Sequence, residues 1–300
     1  MKHIKYFNDY NINEQENKKN DIASSLKDFV KQADEVFKST GFGDLLKNST
    51  ENSNGWGDRI SRGGSSKVPS QADVQNNIKK INDAMDRHGL TDKNIRAAIQ
   101  GVIGKECGWV PEEEESYSNT SNDRIRSIFG KRVQDLSDND LTALKSNNTK
   151  FWDRVYGVDD PTGAGKSNGN TEPGDGEKYR GRGFHGLTFK NEYKQMQDIY
   201  GKMGKLNKTV DLINHPESLN DPDIAAEIAV LYFLEGLQDP KVKDLYGTND
   251  PNGFKDQDTA VKAIFNINAG LGNDMSKPFF QETLSKSESL ANDVVSKNLI

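Results

Sequence analysis

The chain has 300 residues and a net charge of −6, with 33% hydrophobic and 29% charged residues. This length suits one large domain or two small ones, and the hydrophobic fraction is sufficient to build a core. The negative balance excludes a global basic field that would attract nucleic acid, so no nucleic-acid partner is expected. The single cysteine, Cys107, excludes an intrachain disulfide, and the four histidines lack metal-ligand spacing, so no metal site is expected.

Residues 1–68 are rich in Asn, Lys, Asp and Ser, and they differ in composition from the rest of the chain. No apolar run follows the basic residues at the start, so we expect neither a secretory signal nor membrane insertion. Residues 21–37 have helical periodicity, and residues 61–66 have the composition of a flexible linker. The sequence thus predicts an N-terminal extension, 1–68, before a main domain, 69–300. The periodic segment is either a helix packed on its own domain or a segment that docks onto a larger particle.

From Ser70 onward the helical signals are continuous. Ser70 is a suitable N-cap for a helix that stops at Gly89, and Thr91 is a suitable N-cap for a second helix that ends near Cys107. Further helices are predicted near residues 122–131, 138–146 and 150–156.

Residues 157–176 are rich in Gly, Asn and Asp and have no periodicity, which predicts a long loop of the kind that is usually functional. The apolar helix that opens at Asp221 belongs in the core because it is hydrophobic almost all round. Two more helices are predicted, one from about Asp258 and one over 278–296. No strand-period alternation exceeds a few residues, so the predicted fold class is mainly α with at most a small hairpin.

Candidate chemistry begins with Glu106, in the last turn of the second helix, and the acidic run Glu112–Glu115. Hydrolysis of a glycosidic bond needs one carboxylic acid to protonate the leaving oxygen and a second carboxylate to activate water or act as nucleophile. The negative end of a helix favours a protonated carboxyl group, so Glu106 suits the acid role. Four consecutive Glu are typical of a solvated surface, but their place one turn after Glu106 favours a second catalytic carboxylate among them.

A second motif, residues 179–188, reads Tyr-Arg-Gly-Arg-Gly-Phe-His-Gly-Leu-Thr. Its Gly-Arg-Gly turn lets the backbone approach a sugar closely. Tyr179 and the later Tyr193 either stack on sugar rings or fill the core. Arg182 either pairs with a catalytic carboxylate or forms a structural ion pair, and we favour the structural role. His185 is expected to be a local structural residue.

In this order, the two motifs resemble those of the family 19 glycoside hydrolases, which include chitinases and phage endolysins of lysozyme-like fold. Residues 214–222, followed by an Ala-rich helix, are similar to a further family segment, and residues 266–270 are similar to its Ile-Asn-Gly-Gly motif. The resemblance covers about residues 71–275. It implies a bilobal, lysozyme-like helical domain with a long active-site loop, an inverting mechanism, and no metal or organic cofactor.

The same resemblance implies roles for individual residues. It places the catalytic base at Glu113, four residues before Tyr117, with Glu112, Glu114 and Glu115 as rivals. It implies that the hydroxyl of Thr188 helps to hold the attacking water and that Asn268 lines the sugar cleft. The substrate-binding residues expected on this basis are Tyr117, Tyr179, Arg182, Tyr193 and Asn268.

The chain departs from the family pattern at several positions. Lys105 replaces the usual His before the first catalytic Glu, and Cys107-Gly108 replaces the usual Ser-Gly-Gly after it. Gly186 stands where the family has Gln, and Glu192 stands where it commonly has Asn. These changes leave the predicted catalytic pair in place and suggest a diverged specificity.

The expected function is therefore hydrolysis of β-1,4 bonds in peptidoglycan glycan strands, as by an endolysin or a virion-associated lysozyme. The protein is expected to be made in a host cytoplasm without a signal peptide and to reach the cell wall after release or on a virion. Residues 1–68 would then serve a virion or tail partner. Two alternatives stay open: a chitinase, and a non-catalytic virion or wall-binding component of the same fold.

Overall fold

The structure, a computed structural model, describes residues 69–300, so the predicted helix over 21–37 and its linker lie outside the described residues. Within the described range the fold is mainly α, as predicted. The helices are α1 (Gln71–Arg87), α2 (Lys93–Cys107), α3 (Asn122–Phe129), α4 (Asp138–Lys145), α5 (Asn148–Tyr156), α6 (Ala164–Ser167), α7 (Asp175–Lys178), α8 (Lys190–Met203), α9 (Pro222–Leu237), α10 (Pro240–Tyr246), α11 (Gln257–Ala269) and α12 (Pro278–Ser296). Two short strands, β1 (Glu112–Glu113) and β2 (Arg182–Gly183), and two 3-10 turns, Gly130–Arg132 and Pro216–Asn220, complete it.

Capping residues set the ends of the first two helices. The predicted Ser70 cap is confirmed, because its hydroxyl accepts the backbone N–H of Asp73. The predicted Thr91 cap is wrong by one residue: Asp92 is the N-cap of α2, and its carboxylate accepts two backbone N–H groups of the first turn. The helix ends where Gly108 adopts a left-handed conformation, with φ of 60°.

The largest hydrophobic core joins faces of α1, α2, α9, α11 and α12. Helix α2 is its centre and packs against α11 and α12, while α9 packs against α1. Gly101 permits the close approach of α2 to α12, because a Cβ there would lie 2.4 Å from the backbone oxygen of Ser287 in α12. As predicted, α9 is buried nearly all round. No helix within residues 69–300 is long and apolar enough to cross a membrane.

Two smaller cores flank the large one. An aromatic cluster includes Phe129, Phe151, Trp152 and Tyr156, and a second cluster lies between α8, α9 and the Pro216–Asn220 turn. The segment 179–189 contributes buried side chains to all three cores: Phe184 to the large core, Phe189 to the aromatic cluster, and Tyr179 and Leu187 to the third. This segment is therefore held from three sides.

Residues 157–176, predicted as a long loop, are more ordered than expected because they contain α6 and the start of α7. Two buried carboxylates hold the segment in place. Asp160 accepts the backbone N–H of Gly165 and pairs with Arg132, and Asp153 accepts two backbone N–H groups near the end of the segment. These two carboxylates thus satisfy backbone N–H groups of the segment that would otherwise be buried without partners.

The only sheet among the described residues is the antiparallel pair β1 and β2, in which Glu112 faces Gly183 and Glu113 faces Arg182. This pair is not the small hairpin that the sequence allowed, because the two strands come from distant parts of the chain. An isolated bridge between Arg182 and Leu187 closes the turn that follows β2.

Candidate active site

The strand pair brings the two sequence motifs side by side. Beyond the ladder, the backbone N–H of Glu114 donates to the carbonyl of Gly181 at 2.8 Å. The turn after β2 is closed by two hydrogen bonds between Arg182 and Leu187, at 3.1 and 2.8 Å. The acidic run and the Gly-Arg-Gly turn therefore form one surface, with Thr188 directly after the bridge.

Glu113 is surrounded by donors. Its Oε1 accepts from Arg182 at 2.8 Å and from Arg180, and its Oε2 accepts from the Asn220 amide at 2.8 Å. Partial burial alone would raise the pKa of this carboxyl, but the Asn220 hydrogen bond and the two guanidinium charges outweigh burial and lower it. A carboxylate with a lowered pKa and three donors is a weak base, which argues against the predicted role of Glu113.

Glu114 lies in a different environment. Its Oε1 accepts the hydroxyls of Tyr117 at 2.9 Å and Tyr156 at 3.0 Å, while its Oε2 is directed towards Gly181. A Cβ on Gly181 would stand 3.3 Å from Oε2 of Glu114 and 3.5 Å from Oγ1 of Thr188. The carboxylate oxygen of Glu114 and the hydroxyl of Thr188 thus both lie close to Gly181, where a side chain would be crowded. Thr188 donates its hydroxyl hydrogen to the Gly186 carbonyl at 2.8 Å, so its oxygen can still accept.

Glu106 projects from the last turn of α2, as predicted, and its side chain is 19% exposed. Lys105 pairs with its Oε1 at 3.2 Å. Burial raises the pKa of the Tyr232 hydroxyl, and the negative charges of Glu192 and Glu106 raise it further, so both carboxylates act on this tyrosine. Tyr232 in turn lies against the His185 ring, with centroids 4.4 Å apart. Glu106 therefore lies within electrostatic range of a tyrosine whose ring packs against the second motif.

The predicted sugar-stacking tyrosines are buried. Tyr179 and Tyr193 contact each other edge-on at 5.4 Å and are 1% and 0% exposed, so they fill the core, which is one of the two alternatives left by the sequence. Tyr117 is also buried, and its hydroxyl donates to Glu114. It therefore supports that carboxylate instead of making the predicted contact with substrate. Arg182, 4% exposed, pairs with Glu113, so whether this ion pair is structural or catalytic depends on the role of Glu113.

Asn268 is buried in α11, and its Oδ1 has no hydrogen-bond partner within residues 69–300. A buried acceptor without a donor is uncommon in folded proteins and is compatible with a ligand that supplies the donor. Its predicted place in the sugar cleft therefore stays a prediction.

Several residues that shape the site were not predicted from the sequence. Arg180 donates to the Glu113 carboxylate and to the Glu114 carbonyl, and its guanidinium lies over the Trp152 ring at 6.0 Å. Asn220 and Tyr156 reach the same two glutamates from distant segments. No local pattern identifies these residues, because their roles depend on contacts across the fold.

No group of three metal-ligating side chains occurs among residues 69–300. No protein-family model matches this chain, and no curated protein matches it either.

Proposed function

We propose that this protein is a glycoside hydrolase that cuts β-1,4 bonds in the glycan strands of peptidoglycan, with a bilobal, lysozyme-like main domain. The observation that carries the proposal is the pairing of β1 with β2. It sets the acidic run beside the Gly-Arg-Gly turn, and the resemblance to family 19 glycoside hydrolases rests on these two motifs. Glu106, at the end of α2, acts as the general acid that protonates the leaving oxygen.

Glu114 is the better candidate for the second carboxylate. Its Oε2 and the Thr188 hydroxyl both lie beside Gly181, so the carboxylate and the hydroxyl proposed to hold the attacking water are neighbours. Glu113, by contrast, is engaged by two arginines and an asparagine and serves to fix the turn. The proposal therefore moves the base by one residue from the position implied by the family spacing. The family resemblance implies an inverting reaction, in which the base activates water on the face of the sugar opposite the acid.

Hydrolysis of purified peptidoglycan by the wild type and by Glu106→Gln tests the proposal. The wild type should release new reducing ends, and the variant should lose activity by about 10²-fold or more, because it removes the proton donor. An unchanged melting temperature of the variant would show that the loss is chemical.

The same assay on chitin separates the alternatives. Release of reducing ends from chitin but not from peptidoglycan would identify a chitinase. Absence of products from both polymers would refute the enzymatic proposal and favour a non-catalytic wall-binding or structural component.

A further inference from the structure

A pocket of about 100 Å³ lies beside the candidate site, between α8, α9 and the end of α11. We call it the α8–α9 pocket. Its apolar surface includes Leu187, Met196 and Ile267. It adjoins the candidate catalytic turn directly, because Leu187 precedes Thr188 and the Thr188 backbone N–H donates to Glu192 Oε2 at 3.3 Å. A group attached to a glycan bound at Thr188 can therefore reach it.

The polar lining of the α8–α9 pocket is mostly anionic. Three carboxylates line it: Glu192 on α8, Glu235 near the end of α9, and Asp239 just after that helix. Lys241 contributes an ammonium group to the same lining. Lys241 is exposed to solvent, where screening weakens its effect. The side chain of half-buried Glu235 has no hydrogen bond or ion pair among the described residues. Its charge is thus available to a ligand.

Two helix ends add to this negative potential. Helix α9 ends at Leu237 and α11 ends at Ala269, and residues at both C-termini line the pocket. The C-terminus of a helix carries partial negative charge and favours a nearby cation. The carboxylates and the two helix C-termini both suit a ligand that donates hydrogen bonds and carries positive charge.

We propose that the α8–α9 pocket is a subsite for a protonated primary amine carried by the glycan next to the bond that is cleaved. This inference rests on the proposed function and names a substrate feature of the same site. In peptidoglycan such an amine has two sources: a glucosamine that lacks its acetyl group, and the side chain of a diamino acid in the peptide stem. The apolar surface contacts the carbon skeleton, and Glu235 receives the ammonium group.

Binding to the full chain, measured by isothermal titration calorimetry, tests the subsite without requiring hydrolysis. The probes are a glucosamine tetramer, the matched N-acetylglucosamine tetramer, and stem peptides with and without a free diamino-acid amine. We expect an amine-bearing probe to bind roughly threefold to tenfold tighter than its acetylated or amine-free counterpart. The preference should weaken as salt is raised, because charge pairing is screened.

Glu235→Gln should abolish the preference for the amine. Glu282→Gln is the matched control, since it removes the same charge from an exposed side chain of α12, 57% accessible, and should keep the preference. Equal binding of all probes by the wild type, or a preference that survives Glu235→Gln, would overturn the inference. If the glucosamine tetramer binds tighter than its acetylated counterpart, the subsite takes the sugar amine. If the stem peptide with the free amine binds tighter than the one without, the subsite takes the side chain of the diamino acid. If the protein binds amines but does not hydrolyse peptidoglycan, the proposed glycosidase function is refuted and the proposed amine subsite is retained.

Discussion

At the scale of single residues, Glu113 and Glu114 show how neighbouring identical side chains acquire different chemistry. Glu113 meets two guanidinium groups and an amide, while Glu114 meets two phenol hydroxyls and lies beside Gly181. The sequence alone limited the candidates for the second catalytic carboxylate to four consecutive glutamates. It could not identify the base among these four, because every donor described here except Tyr117 comes from a residue 42 to 107 positions away.

The two glutamates should therefore respond differently to the same substitution. Glu114→Gln should lower kcat on peptidoglycan by about 10²-fold or more with little change in the melting temperature, because the amide cannot act as a base. Glu113→Gln should lower stability by roughly 1–3 kcal/mol, because it removes the charge that the two arginines share. Steady-state kinetics and thermal melts of both variants measure this contrast. A larger loss of kcat in Glu113→Gln at unchanged melting temperature would restore the base to the position implied by the family spacing.

At the scale of secondary-structure elements, capping residues and periodicity predicted most of the long helices well. Asp221 before Pro222, and the apolar face of α9, place that helix from the sequence alone. The strands escaped prediction, because each has two residues and exists only through its partner. The segment 157–176 was misjudged for a similar reason: the carboxylates that order it, Asp153 and Asp160, act through tertiary contacts.

The packing of α2 on α12 supplies a test at this scale. Gly101→Ala should destabilise the protein by roughly 1–3 kcal/mol, because the new methyl group would meet the Ser287 backbone oxygen, which cannot move aside cheaply. Gly201→Ala is the matched control, since nothing lies within 4 Å of a Cβ at that position of α8. The control should gain about 0.5–1 kcal/mol from helix propensity. Urea unfolding of the two variants measures both values, and equal effects would contradict the close approach of the helices.

At the scale of the whole molecule, Glu227 ties three distant segments together. It is fully buried on α9 and accepts from Arg87 at 2.7 Å and from the Lys205 backbone at 2.8 Å, and it pairs with His88 at 2.7 Å. Burial alone would raise the pKa of this carboxyl, but the hydrogen bonds from His88, Lys205 and Arg87 outweigh it and lower the pKa to about 2.

Acid should therefore weaken the fold through Glu227. Its pKa is lower in the folded than in the unfolded chain, so the stabilisation is complete above the ordinary pKa of 4.5 and is lost as the pH falls towards 2. Glu227→Gln should cost about 3 kcal/mol at pH 7 and make stability less dependent on pH between 5 and 2. Urea unfolding across this pH range measures both effects, with Glu282→Gln as the exposed control. A variant with the slope of the wild type would show that other carboxyl groups govern acid unfolding.

The contact between β1 and β2 also has a consequence for how the protein reaches its final state. Glu113 and Arg182 are 69 positions apart, whereas each helix is closed by hydrogen bonds between near neighbours. Non-local contacts form slowly, because the entropy of loop closure must be overcome before they contribute any stabilising energy. A refolding chain can thus regain its helical content before β1 pairs with β2. Recovery of the helical signal therefore does not show that the candidate site has formed.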